Sequence, residues 1–266
     1  MTFRKITRRE ALGVAGAVVI GGCKGETRQP APVDESSSSG QALMNRIFFP
    51  GNPWPNGHGI KALVWSARLD PDVGLWFDLH LESEDYYAED GASESDDDEE
   101  QSEDPDGWDS RLVWNNYRHC TLSSTLWGHQ GFLAATRDQP LDFATLAERP
   151  FNVDPLPPPD DSDDRAFGIY LLGHDGVAEH QIQFTPSGLG GHYGLNWRGK
   201  IAQEYIGSEM FDHTFHAGYD GLRFSGIQFP ANTMESNARS LLTSFVLNIG
   251  ALKSKQEDGL LWLAPA

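Results

Sequence analysis

Histidines set between glycines are the most chemically suggestive residues of this chain. Gly-His-x-Gly occurs as Gly128-His129-Gln130-Gly131, Gly173-His174-Asp175-Gly176 and Gly191-His192-Tyr193-Gly194, with a relative at Gly57-His58-Gly59. Imidazole suits zinc, copper or iron, so His129, His174 and His192 brought together would make a metal site. Nothing in their spacing forces them together, however. Glycines bracket tight turns because they accept positive φ. The plainer expectation is a set of polar hairpin tips, with no cofactor required.

A second constellation is Phe211-Asp212-His213-Thr214-Phe215-His216. On a strand, Asp212, Thr214 and His216 share one face. Leu75-Trp76-Phe77-Asp78-Leu79-His80-Leu81-Glu82 alternates in the same way, placing Trp76, Asp78 and His80 on one side. A joint face of Trp76, Asp78, His80, Asp212 and His216 would bind a sugar. Carboxylates and imidazoles bond hydroxyls, and an indole packs on the C–H side of the ring. The alternative is a solvated outer face, which antiparallel sheets commonly present. Acid–base hydrolysis would need two carboxylates about 5–10 Å apart. The sequence singles out no such pair.

Other signatures fail on inspection. Gly194-Leu195-Asn196-Trp197-Arg198-Gly199-Lys200 has phosphate-loop spacing, but Ile201 stands where a Ser or Thr would hold magnesium. Ser102–Gly107 partly follows a calcium loop, yet Val113 replaces the bidentate Glu. His119 and Cys120 are adjacent, so on a strand they point to opposite faces. A lone Cys among apolar neighbours is expected to be buried and inert.

The elements that would carry these residues read as strands. Besides Leu75–Glu82, runs at Ile60–Leu69, Arg111–Tyr117, Thr121–Trp127, Ala166–Leu172, Ala178–Phe184, Tyr193–Trp197, Lys200–Ile206, Phe211–Ala217 and Leu222–Phe229 are short, alternating and separated by Gly, Pro and Asp clusters. This predicts a mainly-β fold, an antiparallel sandwich or barrel-like sheet, with α+β as the alternative. One amphipathic helix is expected near the C-terminus. Asn232 to Glu235 has the form of a capping box, and Met234, Ala238, Leu241, Leu242, Phe245 and Ile249 keep a 3.6-residue period up to Gly250. Leu260–Leu263 reads as a last strand and Thr145–Arg149 as one helical turn. Phe151–Arg165, with Pro155, Pro157, Pro158 and Pro159, should be extended.

The N-terminus carries an address. Arg4, Lys5, Arg8 and Arg9 precede an apolar run from Ala11 to Ile20 and a small-residue end, Gly21-Gly22-Cys23. This is the layout of a secretory signal. The run is about ten residues, roughly half of the ~20 needed to span a bilayer. Thr7-Arg8-Arg9-Glu10-Ala11-Leu12 resembles a twin-arginine export signal. Ala11 and Gly13 stand where that signal usually has Phe and Lys, which leaves the general secretory route open. Ile20-Gly21-Gly22-Cys23 resembles a lipobox. The resemblance implies cleavage before Cys23, a lipid on its thiol, and an exported protein held at the cell membrane or outer membrane. Both resemblances are confined to residues 1–23.

Residues 1–22 are therefore read as a signal peptide and 23–42, which is polar with Pro, Ser and Gly, as a flexible tether. Residues 43–266 form a single β-rich domain with an acidic insertion at 83–110. As a flexible coil, the 18 residues from Lys24 to Gln41 reach about 24 Å. The whole chain has 20 Lys+Arg and 39 Asp+Glu, a net of −19. The signal takes four of the bases and one acid, leaving the remainder at −22. Such a balance repels nucleic acid. Fourteen acids and no base lie between Glu82 and Asp106, and four more at 160–164, so the body itself is near neutral. With Cys23 lipidated, Cys120 has no disulfide partner, and stability must come from an aromatic-rich core. The expected role is a binding or structural module of the cell envelope, with polysaccharide or another envelope component as partner, rather than an enzyme. The alternative is a secreted hydrolase of envelope carbohydrate or peptide, with or without a metal.

Overall fold

The computed structural model describes residues 44–87, 106–114, 116–159, 164–187, 191–230 and 232–265. Arg8, Arg9, Cys23, the tether and most of the acidic insertion lie outside the described residues. The strands belong to one unit, Gln41–Ala266.

Alternation builds the wall. In β3 (Gly74–Ser83) Leu75, Phe77, Leu79 and Leu81 are each fully buried, while Trp76 and His80 on the other side are partly exposed. Burying each of the larger apolar side chains contributes about 1.5–3 kcal/mol. The other strands are β1 (Arg46–Phe48), β2 (His58–Asp70), β4 (Thr121–Ser123), β5 (Phe132–Ala135), β6 (Phe151–Val153), β7 (Gly168–Tyr170), β8 (His174–Pro186), β9 (His192–Ala202), β10 (His213–Phe229), β11 (Leu252–Glu257) and β12 (Leu260–Pro265). The hydrogen-bonded path runs β1-β2-β3-β4-β7-β8-β9-β10-β12-β11. It also closes on itself, because β10 pairs with both β1 and β2. The expected mainly-β architecture is present as one large, predominantly antiparallel sheet curled into a barrel-like ring. The β2–β10 ladder is parallel, and the other ladders among the described residues are antiparallel.

Closure depends on β10 changing neighbours. Its first half pairs with β1 and β9, its second with β2 and β12. The register shifts between Tyr219 and Leu222, where Gly221 has a φ of +78°. Such a bulge bends a strand and increases its twist. The interior is filled by aromatic rings: Trp65 lies 4.4 Å from Phe184, 4.6 Å from Phe224 and 5.2 Å from Phe77, centroid to centroid.

Several local expectations are corrected. Arg111–Tyr117 is not a strand; Arg111–Trp114 forms a short helix, α1, because Trp114 turns inward and donates its indole N–H to the Trp108 carbonyl at 2.8 Å. At the insertion's described ends Tyr86 and Trp108 are buried in the core, while Glu84, Asp85, Asp106 and Asp109 are exposed. Tyr193–Trp197 and Lys200–Ile206 merge into β9 followed by a 3-10 turn at Glu204–Ile206. Helix α2 spans only Glu235–Leu242. Its capping box is absent: Asn232 adopts a φ of +70°, Met234 is the N-cap, and Glu235 pairs with Arg239 at 2.7 Å. Phe245 lies in the turn that follows the helix and accepts from the Leu141 amide, and Val246 bridges to Leu141. Cys120, by contrast, is buried as expected, and burial pushes its thiol well above the usual range.

Candidate functional site

Two strands sit off the ring. β5 pairs with β3 and β6 with β8, and among the described residues no ladder joins β5 to β6. Aromatic contact spans that seam instead. The rings of Phe132 and Phe151 lie 5.1 Å apart, and both also touch Phe77. Over this contact opens a cleft of about 400 Å³ whose walls carry Trp76, Leu133, Arg149, Asn152, Asp154 and Asp164. Gly131 lets the chain entering β5 lie close to β3. Its φ is +64°, and a Cβ there would stand 2.6 Å from Asp78 Oδ1.

Asp154 is the most constrained group in the cleft. Its own φ is +50°. Its Oδ2 accepts a hydrogen bond from the Ala166 amide at 2.8 Å, and its carbonyl accepts one from the Glu179 amide at 2.6 Å. Burial raises its carboxyl above the usual range, against the Ala166 bond and the nearby Arg165 charge. Behind it lies His180, 1% exposed, turned inward at a bulge between Ala178 and Gln181. Trp197 donates its indole N–H to His180 Nδ1 at 3.2 Å, which assigns the ring proton to Nε2. That N–H has no hydrogen-bond partner among the described residues, and the Asp154 carboxylate is 3.9 Å away. Burial among Phe167, Trp197 and Phe215 lowers His180 to about 3, so it stays neutral.

The predicted β3 trio is present on one face, but only Trp76 lines the cleft. Arg68 stands 5.3 Å over the Trp76 ring and 3.3 Å from Asp78 Oδ2. It also donates to the Gln130 carbonyl. Asp78 Oδ1 accepts from Ser124 Oγ at 3.1 Å. Burial raises the Asp78 carboxyl nonetheless, outweighing Arg68 and Ser124. His80 Nδ1 lies 3.0 Å from Ser123 Oγ, and partial burial lowers its basicity despite Glu82.

Asp212 and His216 are elsewhere. His216 lies opposite Phe48, beside the start of β2 at His58, and Asp78 lies opposite Ser66. Those eight residues of β2 cover roughly 26 Å, so the five residues form no single platform. His216 stacks on Phe48 at 4.6 Å and lines a second groove of about 390 Å³ on the outer face of β8, β9 and β10. Burial and the Arg198 charge both lower its basicity.

The glycine-flanked histidines are dispersed. His174 opens β8 at the end of the β8–β9 ladder where Gly176 faces Ala202, whereas His192 opens β9 opposite Arg223. Ten residues of β9 separate those ends, roughly 33 Å. His129 is held separately, its Nδ1 3.1 Å from the Arg165 carbonyl oxygen. Among the described residues no group of three His, Cys, Asp or Glu side chains is placed to hold a metal. The hairpin-tip reading describes Gly173, which closes β7 onto β8.

Sequence reasoning missed Arg149, Asn152, Asp154, Asp164 and His180. The first four fall in or beside a proline-rich stretch read as a loop, and the cleft exists only because that stretch docks a three-residue strand on β8. No protein-family model, curated protein or solved structure matches the chain.

Proposed function

We propose that this chain is an exported, lipid-anchored binding module of the cell envelope, and that its ligand, a polysaccharide, seats in the seam cleft. One observation carries the reading. The cleft sets a half-buried indole beside an amide, a guanidinium and two carboxylates. Sugar recognition uses that combination: an apolar surface for C–H faces and fixed polar groups for hydroxyls. The residues sit on or beside strands of a packed wall, so little ordering cost falls on binding. The basic, apolar and small-residue leader supports export, and Cys23 supports the anchor.

Retention of the full chain, purified in detergent, on a panel of envelope polysaccharides tests this. Trp76→Ala should lose at least tenfold in retention, the cost of one stacked ring plus its buried area. Undiminished retention removes the cleft as the site. Mass spectrometry of the native protein tests the anchor through a diacyl or triacyl mass on Cys23.

The hydrolase reading keeps one specific support: Asp154, with its carboxyl raised by burial, shares the cleft with Asp164. A raised acid beside a second carboxylate is the pairing glycoside hydrolysis uses. Reducing ends released by wild type but not by Asp154→Asn would favour it over binding alone.

A further inference from the structure

The seam cleft is continued by a row of outward side chains. By register, Asn152 on β6 faces Gln181 on β8, Gln181 faces Arg198 on β9, Arg198 faces His216 on β10, and His216 faces Phe48 on β1. Directly paired residues point to the same side of a sheet. Asn152, Gln181, Arg198 and His216 are all exposed, so the row lies on the outer surface. Its first member also lines the cleft, and the next three line the second groove. Four strand spacings make it about 19 Å long.

The charge of this row runs against that of the molecule. In a chain of net −19 it contains a guanidinium, an imidazole and two amides, and no acid. Lys200 lies two residues along β9, paired at 2.8 Å with Glu179, the one acid of the groove. Arg198 itself makes no ion pair or hydrogen bond among the described residues. Interior duties do not explain the row: Ile182, Trp197, Phe215 and Ala217, its neighbours in sequence, supply the packing from the other face.

We infer that the row from Asn152 to the His216–Phe48 stack is the extended half of the ligand site, and that it selects a linear polysaccharide bearing carboxylate groups. This rests on the cleft reading above. Arg198 takes the carboxylate, since a planar guanidinium matches it with two parallel hydrogen bonds. Gln181 and Asn152 bond hydroxyls between that point and Trp76, and the exposed side of the Phe48–His216 pair receives a sugar face. The charged unit is read at Arg198 and not in the cleft, where Asp154 and Asp164 would oppose it.

The test uses polymer pairs that share a backbone and differ in charge, such as polygalacturonate and its methyl ester, with the full chain in detergent. Wild type should retain the acid form about tenfold more strongly than the ester, one charge-assisted contact's worth. Arg198→Gln should erase that preference, and Arg198→Lys should restore part of it. Added salt should weaken only the acid form. Equal loss of both forms in Trp76→Ala, with Arg198→Gln unchanged from wild type, would keep the cleft and overturn the row. No preference for the acid form of any pair would overturn it too. So would an Arg198-dependent affinity for anionic lipid vesicles that exceeds that for every polymer. Retention indifferent to both Trp76→Ala and Arg198→Gln would remove the cleft and the row together.

Discussion

Two stretches of the barrel wall obey the same alternation and assign their polar groups differently. From Leu75 to Leu81 the inward side of β3 is apolar, and the wired polar group, Asp78, lies on the other side, tied to Arg68 and Ser124. On β8 and β9 the wired polar group faces in, as His180 bonded to Trp197, while Gln181 and Arg198 stand outside. An outward polar residue that already completes the wall has little to offer a ligand. One that the wall does not use is free to take one. Orientation and polarity alone do not separate the two cases; burial and partners do, since Asp78 is buried among its partners while Gln181 and Arg198 are exposed.

The buried histidine gives the largest expected effect. Its ring has a folded value of about 3 against an unfolded value near 6.5. Between those values the unfolded chain binds a proton that the folded one refuses, so stability is complete above about pH 6.5 and falls as pH drops toward 3. The slope is at most about 1.4 kcal/mol per pH unit for one such group. Partial burial pushes His80 and His216 the same way. Asp78, Asp154 and Asp175 act oppositely: burial raises them, so the folded state takes their protons first as pH falls. The histidine effect is therefore cleanest in the upper half of the window. Urea midpoints measured from pH 7 to 5 should fall steeply for wild type and more shallowly for His180→Gln, which can still accept from Trp197. Parallel slopes would show that the inward polar group is not what the wall on this side depends on.

How far the sequence reached follows from the same contrast. Period-two patterning placed β2, β3 and β8 within about four residues, but read β9 and β10 as two runs each, because the bulge near Gly221 and the Arg198–Lys200 stretch interrupt the alternation that the continuous strands carry. It also identified Trp76, His80 and His216 as outward. Closure was not legible, since the ring runs through three-residue strands such as β1, β4 and β7, whose pairing, like that of β6 beside the ring, is fixed by register and not by their own composition. The row across β6, β8, β9, β10 and β1 was invisible for that reason: its members are nearest neighbours in space and up to 168 positions apart, from Phe48 to His216. The capping box failed through local competition, because Asn232 serves a left-handed turn and not the helix start.

An intermediate effect is expected on β3. Removing Asp78 strips Arg68 of its carboxylate and Ser124 of one of its two acceptors, the Leu79 carbonyl being the other, beside a close-packed turn at Gly131. Asp78→Ala should cost about 1–3 kcal/mol, the range for losing a buried hydrogen-bonded partner. Asp78→Asn should cost less. It keeps the acceptor for Ser124, and the raised carboxyl means that ionising this side chain in place already works against burial. Urea denaturation of the two variants side by side gives the ranking. An alanine variant as stable as wild type would place β3's outer face in the same class as that of β9.

The smallest effect bears most directly on function. Arg198→Gln and His216→Gln remove the two basic groups of the outer row, and neither side chain completes the wall. Arg198 has no bonded partner among the described residues. His216 contributes a stack on Phe48, partly exposed on both sides. Exposed substitutions of this kind stay within about 0.5 kcal/mol. Two outcomes then separate cleanly. If both variants unfold at the wild-type urea concentration yet lose retention of acidic polymer, the outward groups of β9 and β10 are there for a ligand. A cost approaching that of Asp78→Ala would instead show that Arg198 is structural like Arg68. The row would then be a solvated wall face, as on many antiparallel sheets.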